Sequence, residues 1–187
     1  GSAGLAKHML SHWPAPAAAH QPEQVPARPG GRVLVVAGSV HPSALAQLDR
    51  MRGAPGFAVF DDAGEAAHAV LRDPENLPRT IVLTAAPAPG ERPAPSGGFS
   101  EHLGRIAKEI FGPLGAGALV LTGGETAYAV LDARGMHEIE LEEAPLEGAA
   151  AGWAQGVLVV TKTGGFGDRD ALHALAGYAA EKLGAPR

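Results

Sequence analysis

The sequence predicts an α/β domain built on a largely parallel, or mixed, sheet flanked by helices. Three observations carry this. From Arg32 onward, short apolar runs rich in β-branched residues alternate four times with segments of helical period, the order that βαβ units produce. Most of these runs are closed by small residues, as strands that feed a loop and then a helix are. A chain of 187 residues with 45% apolar composition is also long enough to bury one core, which makes a single domain the default.

The beginning is less regular. "GSAGLAKHMLSHW" has helical spacing at Leu5, Met9 and His12, and it runs into "PAPAAAHQPEQVPARPGG", which is rich in Pro and Ala and has no period, as a linker would be. A short helix on a tether reads as the tail of another unit. The first strand is then "VLVVAGS" (33 to 39), and "SALAQLDRMR" (43 to 52) follows with Leu45, Leu48 and Met51 on one helical face. "FAVF" (57 to 60) with "EAAHAVLRD" (65 to 73) repeats the order. So do "TIVLTAA" (80 to 86) with "FSEHLGRIAKEIF" (99 to 111), and "ALVLTGG" (118 to 124) with "ETAYAVLDARG" (125 to 135). Between the third strand and its helix, the proline-rich 86 to 98 is expected to be a surface excursion. "HEIELEE" (137 to 143) alternates as a half-exposed strand does, and "GVLVVTK" (156 to 162) reads as a buried strand. The closing helix, 170 to 184, has Asp170 near its start and Gly184 past its end.

Composition narrows the function classes. Aromatic residues make up 5% of the chain, so stacking is not its main recognition device. The formal charge is −5 and no run of Lys or Arg is longer than a pair, which argues against nucleic acid as a partner. Cysteine is absent, so neither disulfides nor thiolate metal sites form, and a reducing compartment fits. No apolar run approaches the roughly 18 residues of a membrane span, and no basic stretch followed by an apolar one opens the chain. The expectation is a soluble, cytoplasmic protein; self-association into a homo-oligomer stays open.

Ligands of open α/β sheets bind beyond the carboxyl ends of the strands, and three of those ends are unusual. After the first strand, "AGSVHPS" offers Gly38 for close backbone approach, the Ser39 hydroxyl and N–H, and Ser43 as a cap for the next helix. After the fourth, "TGGET" sets Gly123 and Gly124 at a helix N-terminus, where unpaired N–H groups and the positive dipole end form an anion nest. Thr126 adds a hydroxyl there, while Glu125 suits a cap or a water-mediated hold on Mg2+. After the last long strand, "TKTGGFGDRD" combines the charge of Lys162 with Gly164, Gly165 and Gly167; Asp168 or Asp170 is expected to cap the closing helix, and Phe166 to plug into the core. Each loop also has a plain reading as a tight turn. Neither G-x-x-x-x-G-K-[ST] nor G-x-G-x-x-G after a strand is present, so residue chemistry by itself reaches "anion or nucleotide site" and stops there.

Taken together, "VVAGSVHPSALAQLD", "LVLTGGETAYAVLDARG" and "LVVTKTGGFGDRDAL", in this order and at these separations, resemble the C-terminal nucleotide-binding domain of the four-carbon acid sugar kinases. That family includes D-threonate, D-erythronate and 3-oxo-tetronate kinases. The resemblance covers about residues 32 to 184. The opening "GSAGLA" is similar to the final motif of that family's N-terminal domain, which implies that 1–14 is the remnant of a substrate domain, 15–31 a linker and 32–187 the nucleotide-binding domain. The resemblance implies ATP contacts by Ser39, by Gly123, Gly124, Glu125 and Thr126, and by Gly164 or Gly165. It puts Lys162 at the family's lysine before the glycines, within reach of a phosphate. Thr163 stands where many members have serine, and "EEAPLEGAAAGW" departs from the family pattern, so no role is carried over from it. The function implied is phosphoryl transfer from ATP with Mg2+ to a hydroxyl of a tetronate-type acid, with the acceptor held by the N-terminal domain of the same enzyme. On that reading this chain alone binds nucleotide and turns over poorly. No catalytic residue is assigned. The alternative is a non-catalytic nucleotide- or anion-binding regulatory module; a flavodoxin-like domain is disfavoured because only Ser39 and Ser43 follow the first strand.

Other features have plainer readings. His8 and His12 are four apart but have neither a third ligand nearby nor the H-E-x-x-H glutamate, so no metal site is assigned. His41 reads as a loop histidine before Pro42 that stands within reach of the site. Glu138, Glu140, Glu142 and Glu143 read as the solvated face of an edge strand. Trp13 and Trp153 are expected to flank flexible regions and to have packed against the substrate domain.

Overall fold

The computed structural model describes residues 8–9, 31–84 and 98–184. The expected linker, Trp13, His12 and most of the proline-rich 86–98 lie outside the described residues.

Seven strands form one sheet: β1 (Arg32–Ala37), β2 (Phe57–Phe60), β3 (Thr80–Thr84), β4 (Ala116–Thr122), β5 (Glu140–Glu143), β6 (Ala149–Ala154) and β7 (Val157–Lys162). Five helices cover it: α1 (Pro42–Met51), α2 (Ala63–Arg72), α3 (Phe99–Phe111), α4 (Gly124–Ala133) and α5 (Ala171–Lys182). The strand order is β2-β3-β1-β4-β7-β6-β5. The first five strands in that order run parallel, and β6 and β5 close one side antiparallel. The sheet is mixed but mostly parallel, as the strand-then-helix order requires.

Alternation along the strands divides the core. Leu34 and Val36 of β1 and Leu119 and Leu121 of β4 face α2, α3 and α4. Val33, Val35 and Ala37, with Ala118 and Val120, face α1 and α5. Central strands buried on both faces read as continuous apolar runs, and β1, β3 and β4 do so. Helices α3 and α4 approach closely at Gly104. A Cβ built on Gly104 would lie 2.5 Å from Ala129 O and 2.8 Å from Ala129 C, so only glycine lets these backbones meet.

Several local expectations need correction. Residues 149–154 form a strand that the sequence pattern hides, because "AAAGWA" has low β propensity and takes its conformation from pairing with β7. Of 137–143, only Glu140–Glu143 is strand; it is the exposed outer edge, as the acidic run suggested. Trp153 does not flank a flexible region: it sits inside β6, and its indole N–H donates to Glu142 Oε2 at 3.1 Å. Edge strand β5 is also tied to α5, where Tyr178 donates to Glu143 Oε1 at 2.9 Å and Lys182 pairs with Glu143 at 2.7 Å.

Candidate functional site

Strands β1, β4 and β7 are neighbours in the sheet, so the loops that follow them share one edge. Helix α1 packs on one face and α4 on the other. The chain therefore leaves β1 and β4 toward opposite sides, which opens a crevice between their carboxyl ends.

Ser39 stands at the centre of this crevice. A Cβ built on Gly123 would lie 3.5 Å from Ser39 Cβ and 3.8 Å from Ser39 N, and one built on Gly164 would lie 2.5 Å from Ser39 Oγ. All three unusual strand ends thus meet at one serine. Gly38 has a packing role: a Cβ there would overlap Thr126 Oγ1 and touch Leu103 Cδ1 at 3.2 Å. Thr126 is correspondingly buried, so its hydroxyl faces Gly38 and its N–H is the group left for a ligand.

At the second loop, Gly123 is the N-cap of α4 with φ 96°, a conformation that favours glycine, and no side chain caps the helix. Of the two roles expected for Glu125, a cap or a water-mediated hold on Mg2+, the cap is not made: the side chain stands exposed in the first turn with its carboxylate uncommitted to the helix end. Space around Gly124 is open, with nothing within 4 Å of a built Cβ. This combination of uncapped N–H groups, the positive end of the dipole and free space is the physical requirement for binding an anion.

The third loop has a different construction from the expected one. Lys162 is buried, and its Nζ donates to Thr163 O at 2.8 Å and Gly164 O at 3.4 Å. Its ammonium is thus turned to the carbonyls of the loop that follows it. Desolvation by burial holds the Lys162 pKa below its ordinary value. Phe166 does not plug into the core: it is half exposed and lies over Gly148, where a Cβ would come within 2.7 Å of the ring. Asp170 occupies the N-cap of α5 without a side-chain bond to the helix, because its carboxylate is held by Arg50 at 2.8 Å. Asp168 Oδ1 accepts from the Asp170 N–H at 3.0 Å, closing the turn before the helix.

Two further residues join the site. Pro42 starts α1 and has no N–H to give, so the cap falls to His41 and not to Ser43: the Ser43 N–H donates to His41 Nδ1 at 3.2 Å. With Nδ1 as acceptor the ring proton sits on Nε2, and that edge faces the third loop, 3.3 Å from a Cβ built on Gly165. Gln47, fully buried on α1, donates to the same loop from below. It was not predicted from the sequence. Its signal was a polar residue on the stripe Ala44, Gln47, Leu48 and Met51, which periodicity assigns to the core. Among the described residues, no group of three His, Asp or Glu side chains stands close enough to hold a metal ion by itself, and no helix is long and apolar enough to cross a membrane.

Comparison with known proteins agrees with this geometry. The family model described as the nucleotide-binding C-terminal domain matches residues 34–172. A D-threonate kinase from Bordetella bronchiseptica is 34% identical over an alignment that covers 92% of this chain and 44% of that protein. The chain thus spans less than half the length of that relative. A crystal structure from the same organism, described as a domain of unknown function with bound citrate in a domain-swapped dimer, superposes with a TM-score of 0.64 at 29% identity, covering 78% of this chain and 40% of that one. A Haemophilus influenzae protein shares the fold at a TM-score of 0.60 and 17% identity, over 81% of this chain and 41% of that one. With the family model spanning most of the sheet and all three loops at the crevice, the chain belongs to the nucleotide-binding C-terminal domain family.

Proposed function

We propose that this chain binds ATP with Mg2+ at the β1–β4–β7 edge and, joined to an acid-binding domain, transfers the γ-phosphoryl group to a hydroxyl of a tetronate-type acid. The observation that carries the reading is the meeting of three glycine-bearing strand ends about Ser39. The kinship with a D-threonate kinase supplies the reaction class.

The residues fit such a ligand. The N–H groups of Gly124, Glu125 and Thr126 at the start of α4 and those of Gly164 and Gly165 are donors for phosphate oxygens, with the Ser39 hydroxyl between the two sets. Lys162 adds positive charge from beneath the third loop, where low dielectric strengthens its action on an anion above. Mg2+ binds through one or two carboxylates together with phosphates and water, and the exposed Glu125 carboxylate beside the helix start suits that role. ATP with Mg2+, when bound, supplies the group to be transferred and neutralises the charge on it. The work of this chain is to hold the polyphosphate in one orientation; in-line placement of the acceptor falls to the partner domain. Such chemistry in a chain without cysteine suits the cytoplasm.

The test is a coupled ADP-release assay on D-threonate, D-erythronate and 3-oxo-tetronates, with this chain, with the N-terminal domain of its enzyme, and with the two mixed. Acid-dependent turnover is expected only in the mixture. Turnover by this chain alone would refute the division of labour. Nucleotide binding with no turnover in the mixture would favour the regulatory module instead.

A further inference from the structure

Gln47 is a polar side chain with no exposed surface, on the inner face of α1. Burying an amide is unfavourable unless its groups are paired. Its Nε2 donates to three consecutive carbonyls of the third loop: Phe166 O at 3.1 Å, Gly167 O at 3.3 Å and Asp168 O at 2.8 Å. Its Oε1 is buried and has no partner among the described residues. The position therefore keeps the amide for its NH2 end and tolerates an unsatisfied oxygen to do so. Lys162 does the same for the preceding residues, donating to Thr163 O and Gly164 O.

Five carbonyls of the loop are thus drawn beneath it. In a planar trans peptide the N–H points opposite to the C=O of the same unit. Pulling in the carbonyls of residues 163, 164, 166, 167 and 168 turns the N–H groups of Gly164, Gly165, Gly167, Asp168 and Arg169 outward. Gly167 makes the arrangement possible, with φ 83° and with a hypothetical Cβ that would collide with Ala171 Cβ and sit 3.5 Å from Gln47 Nε2. One turn further along α1, Arg50 pairs with Asp170, so the helix holds the loop at two points.

We infer that Gln47 is a positioning residue for the polyphosphate of the nucleotide: it fixes the loop carbonyls inward so that the N–H groups of the third loop face the crevice as a preformed anion nest. This rests on the nucleotide-binding reading above, and it adds a residue that touches no ligand. Gln47→Met keeps the volume and removes the donor; Gln47→Glu keeps the shape and sets a carboxylate against three carbonyls.

The experiment is calorimetric titration of the chain and both variants with ADP·Mg2+ and with adenosine, with hydrogen exchange of residues 163–169 in each. Loss of the orienting amide, with its bonds to three carbonyls, is expected to weaken ADP about tenfold or more in Gln47→Met and further in Gln47→Glu, while adenosine is unaffected. The loop amides should exchange faster in both variants, and in the wild type ADP should protect those of Gly164, Gly165 and Gly167. Unchanged ADP affinity in a folded variant, or equal losses for ADP and adenosine, would overturn the inference. If neither variant folds, the wild-type exchange decides it: ADP that binds and leaves those three amides unprotected refutes the nest. Failure of the wild type to bind any nucleotide is a separate outcome, and it overturns the proposed function together with this inference.

Discussion

Gly124 offers the cleanest test of the candidate site, because the fold leaves it unconstrained. Nothing lies within 4 Å of a Cβ built there, and its φ is outside the left-handed region. Gly123 beside it, with φ 96°, would be strained by any side chain. Gly124 is also the first residue of α4, where replacing glycine by a better helix former is worth at most about 1 kcal/mol in favour of the fold. Gly124→Ala and Gly124→Val should therefore melt at or slightly above the wild-type temperature. Binding should respond in the opposite direction. The valine methyls would occupy the space through which a phosphate oxygen reaches the N–H groups of the first turn, and a hydrogen bond to a charged group contributes about 1.5–3 kcal/mol. Losing one such bond weakens ADP·Mg2+ roughly tenfold to a hundredfold in Gly124→Val, with a smaller loss in Gly124→Ala. Calorimetric titration reads the affinity, and thermal unfolding checks the fold. A folded Gly124→Val that binds ADP as tightly as the wild type would refute the assignment of the α4 N-terminus as a phosphate site.

Three further outcomes follow from the packing and the titrating groups. Lys162 has a lowered pKa caused by burial, so between that value and 10.5 the unfolded chain binds more protons than the folded one, and stability rises with pH in that window. The stability difference between wild type and Lys162→Met, from urea unfolding at pH 8 and pH 10, should shift toward the wild type at the higher pH; a constant difference would refute the buried ammonium. Gly104→Ala pushes a methyl against the Ala129 carbonyl, and forcing α3 from α4 should cost about 1–3 kcal/mol, seen as a lower urea midpoint; an unchanged midpoint would show that the helices separate freely. Burial and the bond to Glu143 raise the Tyr178 pKa to about 12, so this phenol contributes stability that is full below the ordinary tyrosine value near 10 and is lost as pH rises through about 12. The step in ultraviolet phenolate absorbance centred near pH 12 should be missing in Tyr178→Phe, which keeps Tyr128, and its persistence would assign it elsewhere.

The sequence by itself determined the elements and where to look among them. Apolar runs with β-branched residues specify central strands buried on both faces, and helical spacing after each run specifies the crossover, so 57–60 and 99–111 coincide with an observed strand and helix. Glycines at strand ends were legible for the same reason: backbone freedom is a property of one residue and needs no partner to be recognised. The alanine-rich β6 was not legible, because its conformation is imposed by β7 and its own side chains state no preference.

Adjacency was decided by the tertiary structure. Nothing in the order of the motifs says that β1, β4 and β7 lie side by side, which is what brings Gly123 and Gly164 to Ser39. Direction was decided there too. Lys162 reads as a charge offered to a ligand, but its carbon chain passes beside Gly167 and its ammonium donates to the loop's own carbonyls. Gln47 reads as one polar residue on an apolar stripe, and its three acceptors are 119 to 121 residues away. Local periodicity records what a residue is next to in the chain, and a hydrogen bond across the fold depends on which strands pair, a choice made by the burial of the whole sheet.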